Sequence, residues 1–379
     1  MRILIAPNAF KNSLDASDVA EAIREGLENS MLECTAECFP IGDGGDGTAE
    51  LIIRKFQGTT IETELSNPLR KKIKTSFGLI DHEKTAVIEM ADTSGLRLLS
   101  KAELNPMRVS SYGTGEMIKA ALNHGVKKIL IGLGGSATVD GGAGLLCALG
   151  VRFLDSKGME LKPIPEDLLG LAGIDLSGLD QRVFDCEIIV LCDVGNNLLG
   201  PDGAASVFGP QKGALQSDIP KLEAVLKKIS EIASSAGLGD MGAVKHGGAA
   251  GGTAAGLNVF LKAQLVDGAG HFLAITDFGN SLRECDLLIT GEGSLDEQTL
   301  QGKAPFAAAA AAKLLGIPVV GIAGKVPLNA NSKLNEYFQL LIPLGNEPSD
   351  LETAILNTRS NLVRTGTMLG NLFSIRKFK

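Results

Sequence analysis

Tryptophan is absent and tyrosine occurs twice, so aromatic residues make up only 4% of the 379-residue chain. Binding of single-stranded nucleic acid, which relies on aromatic stacking along a basic groove, is therefore disfavoured. Positive charge is also scarce. With 36 Lys and Arg against 44 Asp and Glu, the net charge is −8, the wrong sign for a phosphate backbone. Long apolar runs are missing too. The longest uncharged ones, Ala304–Ala312 and Leu314–Gly324, are split by Lys313, whereas a membrane span needs about 18 residues. The opening MRILIAPNAFK has too short an apolar run for a signal peptide, and the cytoplasm is the expected compartment. The six cysteines (Cys34, Cys38, Cys147, Cys186, Cys192, Cys285) show no CxxC spacing and no histidine at zinc-ligand spacing. They read as reduced, mostly buried thiols. No Walker A motif is present, since Gly302-Lys303 is followed by Ala304. The H-R-D and D-F-G signatures of protein kinases are missing as well.

Glycine is what the chain has in excess: 47 residues of 379, nearly twice the usual share of about 7%. Hydrophobic residues at 44% suffice for a sizeable core and exclude disorder as the dominant state. At ~150 residues per domain the length suggests two or three domains.

Arg2–Ala6 reads as a buried strand and Ala16–Leu27 as a helix, with Val19, Ala20, Ile23 and Leu27 on one stripe and Asp15 at its N-cap. Thr35–Ile41 reads as a second strand and Ala49–Phe56 as a second helix. This alternation predicts a parallel sheet with helices on its faces. Near Thr60 the rhythm changes to strand-like runs (Thr60–Leu65, Lys71–Ile80, Thr85–Met90) joined by turns, which predicts antiparallel pairing. Helix and strand return at Glu116–Asn123 and Lys128–Leu133. A strand at Glu187–Cys192 and a helix at Ser217–Ser235 follow. From Asp286 the first rhythm resumes, with strands at Asp286–Thr290, Pro318–Ile322 and Gln339–Pro343 and helices at Pro305–Leu315 and Asp350–Met368. The expected fold is α/β: a parallel-sheet domain of the Rossmann or flavodoxin type from residues 1–65 and 286–379, with a mixed α/β domain, 66–285, inserted.

Five loops pair glycine with ionisable groups, and most follow a predicted strand, where open parallel sheets place ligands. They are Pro7–Ala16 (Lys11, Ser13), Gly42–Thr48 (Asp43, Asp46), Gly132–Gly144 (Ser136, Thr138, Asp140), Cys192–Ala214 (Asp193, Lys212) and Thr290–Pro305 (Glu292, Asp296, Thr299, Lys303). Glycines let backbone N–H groups approach phosphate oxygens, and carboxylates can hold Mg²⁺ or accept a hydroxyl proton. Taken singly, each loop reads as a tight turn and each aspartate as a cap. Lys212 and Lys303 singly read as solvated surface charges. The combination points to phosphoryl transfer. One motif competes: Gly132–Ala137 fits the dinucleotide fingerprint, with Asp155 about 20 residues on.

The successive segments IAPNAFKNSLDA, IGDGGDGT, YGTGEMI, GLGGSATVDGGAG, LCDVGNNLLG, FGPQKGA, GGAAGG and ITGEGSLDEQTLQGKAP resemble, in order, the motifs of the bacterial type I glycerate kinases. Three segments depart from the family pattern. Asn8-Ala9 stands where Asp-Ser is common, Gly42 and Asp46 where Ala and Glu are usual, and Gly195-Asn196-Asn197 where Thr-Asn-Pro is usual. The resemblance implies ATP-dependent phosphorylation of D-glycerate, most often on the 2-hydroxyl, by two α/β domains with the site in the cleft between them. On that basis Asp193, Lys303 and Asp43 are expected to be catalytic, with Asp193 as the proton acceptor. Lys11, Ser13 and Asp140 are expected to bind substrate. Gly134, Gly135, Ser136 and Thr114 are expected to hold ATP, and Asp296 and Glu292 to hold Mg²⁺. The expected partner is a small molecule, with no nucleic acid and no membrane, and the assembly a monomer or homodimer. An NAD(P)-dependent oxidoreductase of a small hydroxy acid and a non-catalytic sugar-acid or nucleotide sensor are the competing readings.

Overall fold

The computed structural model describes residues 1–329 and 333–375. In chain order its strands are β1 (Arg2–Ile5), β2 (Thr35–Cys38), β3 (Thr59–Ser66), β4 (Lys72–Ile80), β5 (Thr85–Glu89), β6 (Lys128–Gly132), β7 (Arg152–Leu154), β8 (Gly173–Asp175), β9 (Glu187–Cys192), β10 (Gln264–Asp267), β11 (Leu287–Ser294), β12 (Val319–Lys325) and β13 (Leu340–Pro343). Two compact units emerge. One is Met1–Asp43 with the chain from Ala269 onward, and the other is Gly44–Gly268.

The first unit is built on a wholly parallel sheet in the order β13-β12-β11-β1-β2. Counted within the unit alone, that order is 2-1-3-4-5, the flavodoxin-type winding, whose switch point lies between β1 and β11. The two strands join sequence ends far apart, with Ile3 opposite Leu287 and Ile5 opposite Ile289. Their continuous apolar runs suit strands covered on both faces. On one face, helix Ala16–Glu28 packs against Thr358–Ser374. The crossing is close because both helices carry glycine there: a Cβ on Gly26 would lie 2.2 Å from the Val363 carbonyl oxygen. Val19, Ile23 and Leu27 meet Leu362 and Leu369 in this core. Asp15 caps the first helix, accepting from the Asp18 amide at 2.8 Å. The single helix expected over Asp350–Met368 is two, Leu351–Leu356 and Thr358–Ser374.

The second unit holds a mixed sheet in the order β10-β9-β6-β5-β4-β3. Strands β3, β4 and β5 are antiparallel neighbours, as the hairpin rhythm predicts, and β5, β6, β9 and β10 are parallel. A small antiparallel sheet pairs β7, the strand-like run that ends at Asp155, with β8; β8 and β10 lie outside the runs expected from sequence. Ile88, Ile129, Ile131 and Val190 pack with Met117, Leu145, Phe153 and Ile229 in the core.

The units divide at 43/44 and 268/269, not at 65/66 and 285/286. The second helix, Thr48–Lys55, belongs to the mixed sheet: Ile53 packs so closely over Gly78 of β4 that a Cβ there would sit 2.2 Å from it. The Ala49 amide also donates to Glu89 at the end of β5 at 2.7 Å. At the other boundary, Phe278 stacks edge-on against Phe39 at 5.2 Å, and Ser281 donates to Glu37 at 2.8 Å. Both contacts tie 269–285 to the parallel sheet.

Candidate active site

In the first unit the loops after β1 and β11 leave the sheet at its switch point, where such folds bind ligands. The Asn8 amide N–H donates to the Gly291 carbonyl at 2.8 Å, which joins the two loops. Asn8 then donates from Nδ2 to Asp43 Oδ2 at 2.9 Å, and its Oδ1 accepts from the Ala9 amide at 2.7 Å. With aspartate at position 8, two carboxylates would face each other. Asparagine replaces that repulsion with a hydrogen bond.

Glu292 is 8% exposed near the end of β11. Its Oε1 accepts from Thr299 Oγ1 at 3.1 Å and lies 3.4 Å from Lys303 Nζ. Burial pushes this carboxyl above its usual range, and Asp43 adds to the rise. The Lys303 charge and the Thr299 hydroxyl act against it. Lys303 occupies the N-cap position of helix Ala304–Leu314 with a one-third exposed side chain, so it is less solvated than a surface charge. Asp296 accepts from Ser294 Oγ at 3.3 Å, and its amide donates to Thr299 Oγ1 at 3.1 Å. The first unit thus gathers Asn8, Asp43, Glu292, Asp296, Thr299 and Lys303. Lys11 is exposed on the same loop as Asn8. The Ser13 hydroxyl donates to the Ile355 carbonyl at 3.0 Å, so part of its capacity holds the loop.

Oxygen donors alone (Asp43, Glu292, Asp296) suit a hard cation such as Mg²⁺. Among the described residues no three His, Cys, Asp or Glu side chains form a ready-made metal cage.

In the second unit Asp193 follows β9 directly and is half-buried. The loop after β6 does not start a helix at once: helix Ala143–Ala148 begins eleven residues past Gly132. The tight strand-to-helix turn of a dinucleotide fingerprint is therefore missing. Gly134 packs on the Gly44–Thr48 loop instead. Its amide donates to the Gly44 carbonyl at 2.9 Å, and a Cβ on it would lie 2.3 Å from the Gly45 Cα. Gly135 has φ +69°, and a Cβ there would strike Asp46 Oδ1 at 2.3 Å. The amide of Gly134 is thus committed to loop–loop packing rather than free for phosphate.

Two expected ligands are enclosed. Asp140 is wholly buried. Its Oδ2 accepts from the Ser111 amide and hydroxyl at 2.8 Å each and from the Gly144 amide at 3.3 Å, and its Oδ1 from the Gly142 amide at 3.1 Å. Burial pushes this carboxyl up, against the pull of those four donors. Its role is to pin the loop to the start of helix Tyr112–Asn123, not to touch substrate. Thr114 is equally buried, its hydroxyl shared with Thr93 at 3.0 Å and Ser94 at 2.8 Å. It braces the helix start and presents nothing to a nucleotide.

Two residues carry more than the sequence indicates. Lys212 is 3% exposed, not a solvated charge. Its Nζ donates to Ser136 Oγ and to the Thr138 carbonyl, both at 2.8 Å. Burial depresses it to about 7, while Asp140 and Asp193 pull it back up. The available signal was a lysine in a glycine-bounded turn, FGPQKGA. Glu89 is the other. It is 5% exposed, and accepts from the amides of Gly47 at 3.1 Å and Ala49 at 2.7 Å. A lone acidic residue ending the apolar strand TAVIE was its signal. Burial raises Glu89 to about 7, opposed by the Ala49 amide and assisted by Asp92 and Asp46.

A raised folded value means that the folded state holds the Glu89 proton where the unfolded chain has lost it. Stability from this group is complete below about 4.5, the ordinary value, and falls as pH climbs to about 7. The loss amounts to roughly 3 kcal/mol across that window. Urea unfolding at pH 5 and pH 8 checks this: Glu89→Gln, which cannot titrate, should show a smaller pH difference than wild type. Equal differences would remove Glu89 as the cause.

The glycerate kinase family model matches residues 3–374. A glycerate 2-kinase from Escherichia coli K12 is 42% identical, with 99% of this chain and 98% of the relative covered. A glycerate kinase from Bacillus subtilis 168 is 40% identical over 96% of each. A crystal structure described as that of a glycerate kinase 2 from Salmonella typhimurium LT2 superposes with a TM-score of 0.83 at 38% identity, over 100% of this chain and 99% of that one. With a family match across nearly the whole chain, and relatives of this similarity along its full length, the chain belongs to the glycerate kinase family.

Proposed function

We propose that the protein transfers the γ-phosphoryl group of MgATP to the 2-hydroxyl of D-glycerate, giving 2-phosphoglycerate and ADP in the cytoplasm. The observation that carries this reading is full-length similarity to proteins named glycerate kinase and glycerate 2-kinase at about 40% identity. The side chains described above suit the chemistry. Phosphoryl transfer asks little covalent work of a protein. It asks for charge neutralisation, in-line positioning and a group to take the attacking hydroxyl's proton.

Asp193, aimed by the rigid strand β9, takes that proton. Lys303 offsets negative charge on the transferring group, and its lever is the ion pair with Glu292. Bound Mg²⁺ would supply charge neutralisation at the β- and γ-phosphates. Glu292, Asp296 and Asp43 would hold it, directly or through water. Asn8 holds the Asp43 carboxylate in place through its Nδ2 hydrogen bond. Lys11 pairs with the glycerate carboxylate, assisted by Ser13. Gly135 and Ser136 line the phosphate cradle, without the Gly134 amide.

An ADP-release assay tests the carboxylate recognition. Activity with glycerate and none with glycerol is expected, since a neutral polyol offers Lys11 nothing to pair with. Equal turnover of both would refute it.

A further inference from the structure

His246 adopts a left-handed backbone, φ +63°, a conformation uncommon for residues other than glycine. Gly247 and Gly248 follow it, and a third glycine would suit the turn without strain. What histidine adds is its ring. Nδ1 lies 2.8 Å from the Val194 carbonyl oxygen. A carbonyl only accepts, so Nδ1 carries the proton and donates. Val194 is the residue directly after Asp193.

The segment around His246 holds the loop after β9 at two further points. The Gly248 amide donates to the Asn196 carbonyl at 3.0 Å. A Cβ on Gly248 would lie 2.1 Å from the Asn197 carbonyl oxygen, so the two backbones are in close contact. The segment is itself anchored on the loop after β6, where the Gly141 amide donates to the Gly251 carbonyl at 3.0 Å. On the N-terminal side of Asp193 the chain is fixed by the sheet, with Cys192 opposite Asp267 of β10. On the C-terminal side the strand has ended and Gly195 follows, where an added Cβ would meet open space. The His246 bond acts at this point, one residue from the carboxylate.

We propose that His246 is a positioning residue for Asp193: its Nδ1–H, bonded to the Val194 carbonyl, fixes the backbone leaving Asp193 and with it the approach of that carboxylate to the substrate hydroxyl. The inference rests on the kinase reading given above, with Asp193 as the proton acceptor. Such a tie matters because a displacement of about 1 Å at a reacting group can cost ~10²-fold in rate.

Two variants separate the bond from the backbone. His246→Asn retains a side-chain N–H donor and tolerates the left-handed conformation. His246→Gly keeps the backbone and loses the donor. Both should fold and bind MgADP as wild type does. In His246→Gly, kcat with glycerate should fall ~10–10²-fold with KM for ATP unchanged, and His246→Asn should recover most of the rate. In an Asp193→Asn background His246→Gly should lower kcat no further, since the base that it positions is gone. In ¹⁵N-histidine-labelled protein, the resonances lost in His246→Asn should report a proton on Nδ1. Wild-type kcat in His246→Gly, equal losses in the two variants, an additive loss in the double variant, or an Nδ1 without a proton would each overturn the inference. Wild-type protein that releases no ADP from glycerate and MgATP would instead overturn the kinase reading beneath it.

Discussion

Asp193→Asn is expected to lower kcat by ~10²–10⁴-fold, the range for losing a positioned base, while the protein stays folded and still binds nucleotide. The residue follows Cys192, whose strand β9 is buried from Ile188 onward and paired on both sides with β6 and β10. Such a strand fixes the Cα of Asp193 closely, and base catalysis depends on that fixity. Asparagine has almost the same shape and can still accept hydrogen bonds, so a turn-forming role would survive the change. It cannot take a proton at neutral pH, so a base role would not survive. Steady-state kinetics beside a thermal melt separates the two. Near wild-type kcat in a folded variant would move the role to Asp43, because Asp140 is sealed in by its own four hydrogen bonds.

Lys303→Ala is the second large effect, with an expected loss of ~10²–10³-fold in kcat, comparable to removing one charge-stabilising donor in a preorganised site. The ammonium stands 3.4 Å from Glu292 Oε1. Its removal acts twice. The transferring phosphoryl group loses a counter-charge. Glu292, already raised by burial, loses the cation that held it down, so more of it is protonated and less able to bind a metal ion. The acid limb of the kcat profile should therefore move to higher pH in the variant. Lys303→Arg should recover part of the rate. Unchanged KM for ATP and unchanged kcat in Lys303→Ala would show that the lysine is an ordinary helix-cap residue.

Local pattern made much of the architecture legible. Strand β9 has the limits its apolar run predicts, and the turns Asn67-Pro68 and Asp81-His82 mark the antiparallel hairpins. Sequence-distant partners hid the rest. The helix Thr48–Lys55 looks like a continuation of the first βα rhythm. It joins the other unit because Glu89, forty residues on, caps it and Gly78 makes room for Ile53. Strand β10 is four residues long and owes its existence to pairing with β9.

The candidate site divides the same way. Carboxylates and lysines at strand ends announce themselves by position. Whether they meet ligand or backbone does not show in a one-dimensional pattern. Asp140 and Lys212 sit in equally glycine-rich loops, yet one serves as an internal cap and the other is a buried lysine bonded to the loop after β6. Gly134 illustrates the ambiguity most plainly. Close approach by another backbone demands glycine just as a phosphate would, and here the approaching chain is Gly44–Gly45.

The most direct measurement is NMR of the product formed from ¹³C-labelled D-glycerate and MgATP. The account predicts one ADP released per phosphoglycerate, with phosphorus bonded through the oxygen on C2. No phosphorus-coupled glycerate after prolonged incubation with the folded protein would contradict the kinase reading, and phosphate on C3 would contradict the 2-hydroxyl as the acceptor.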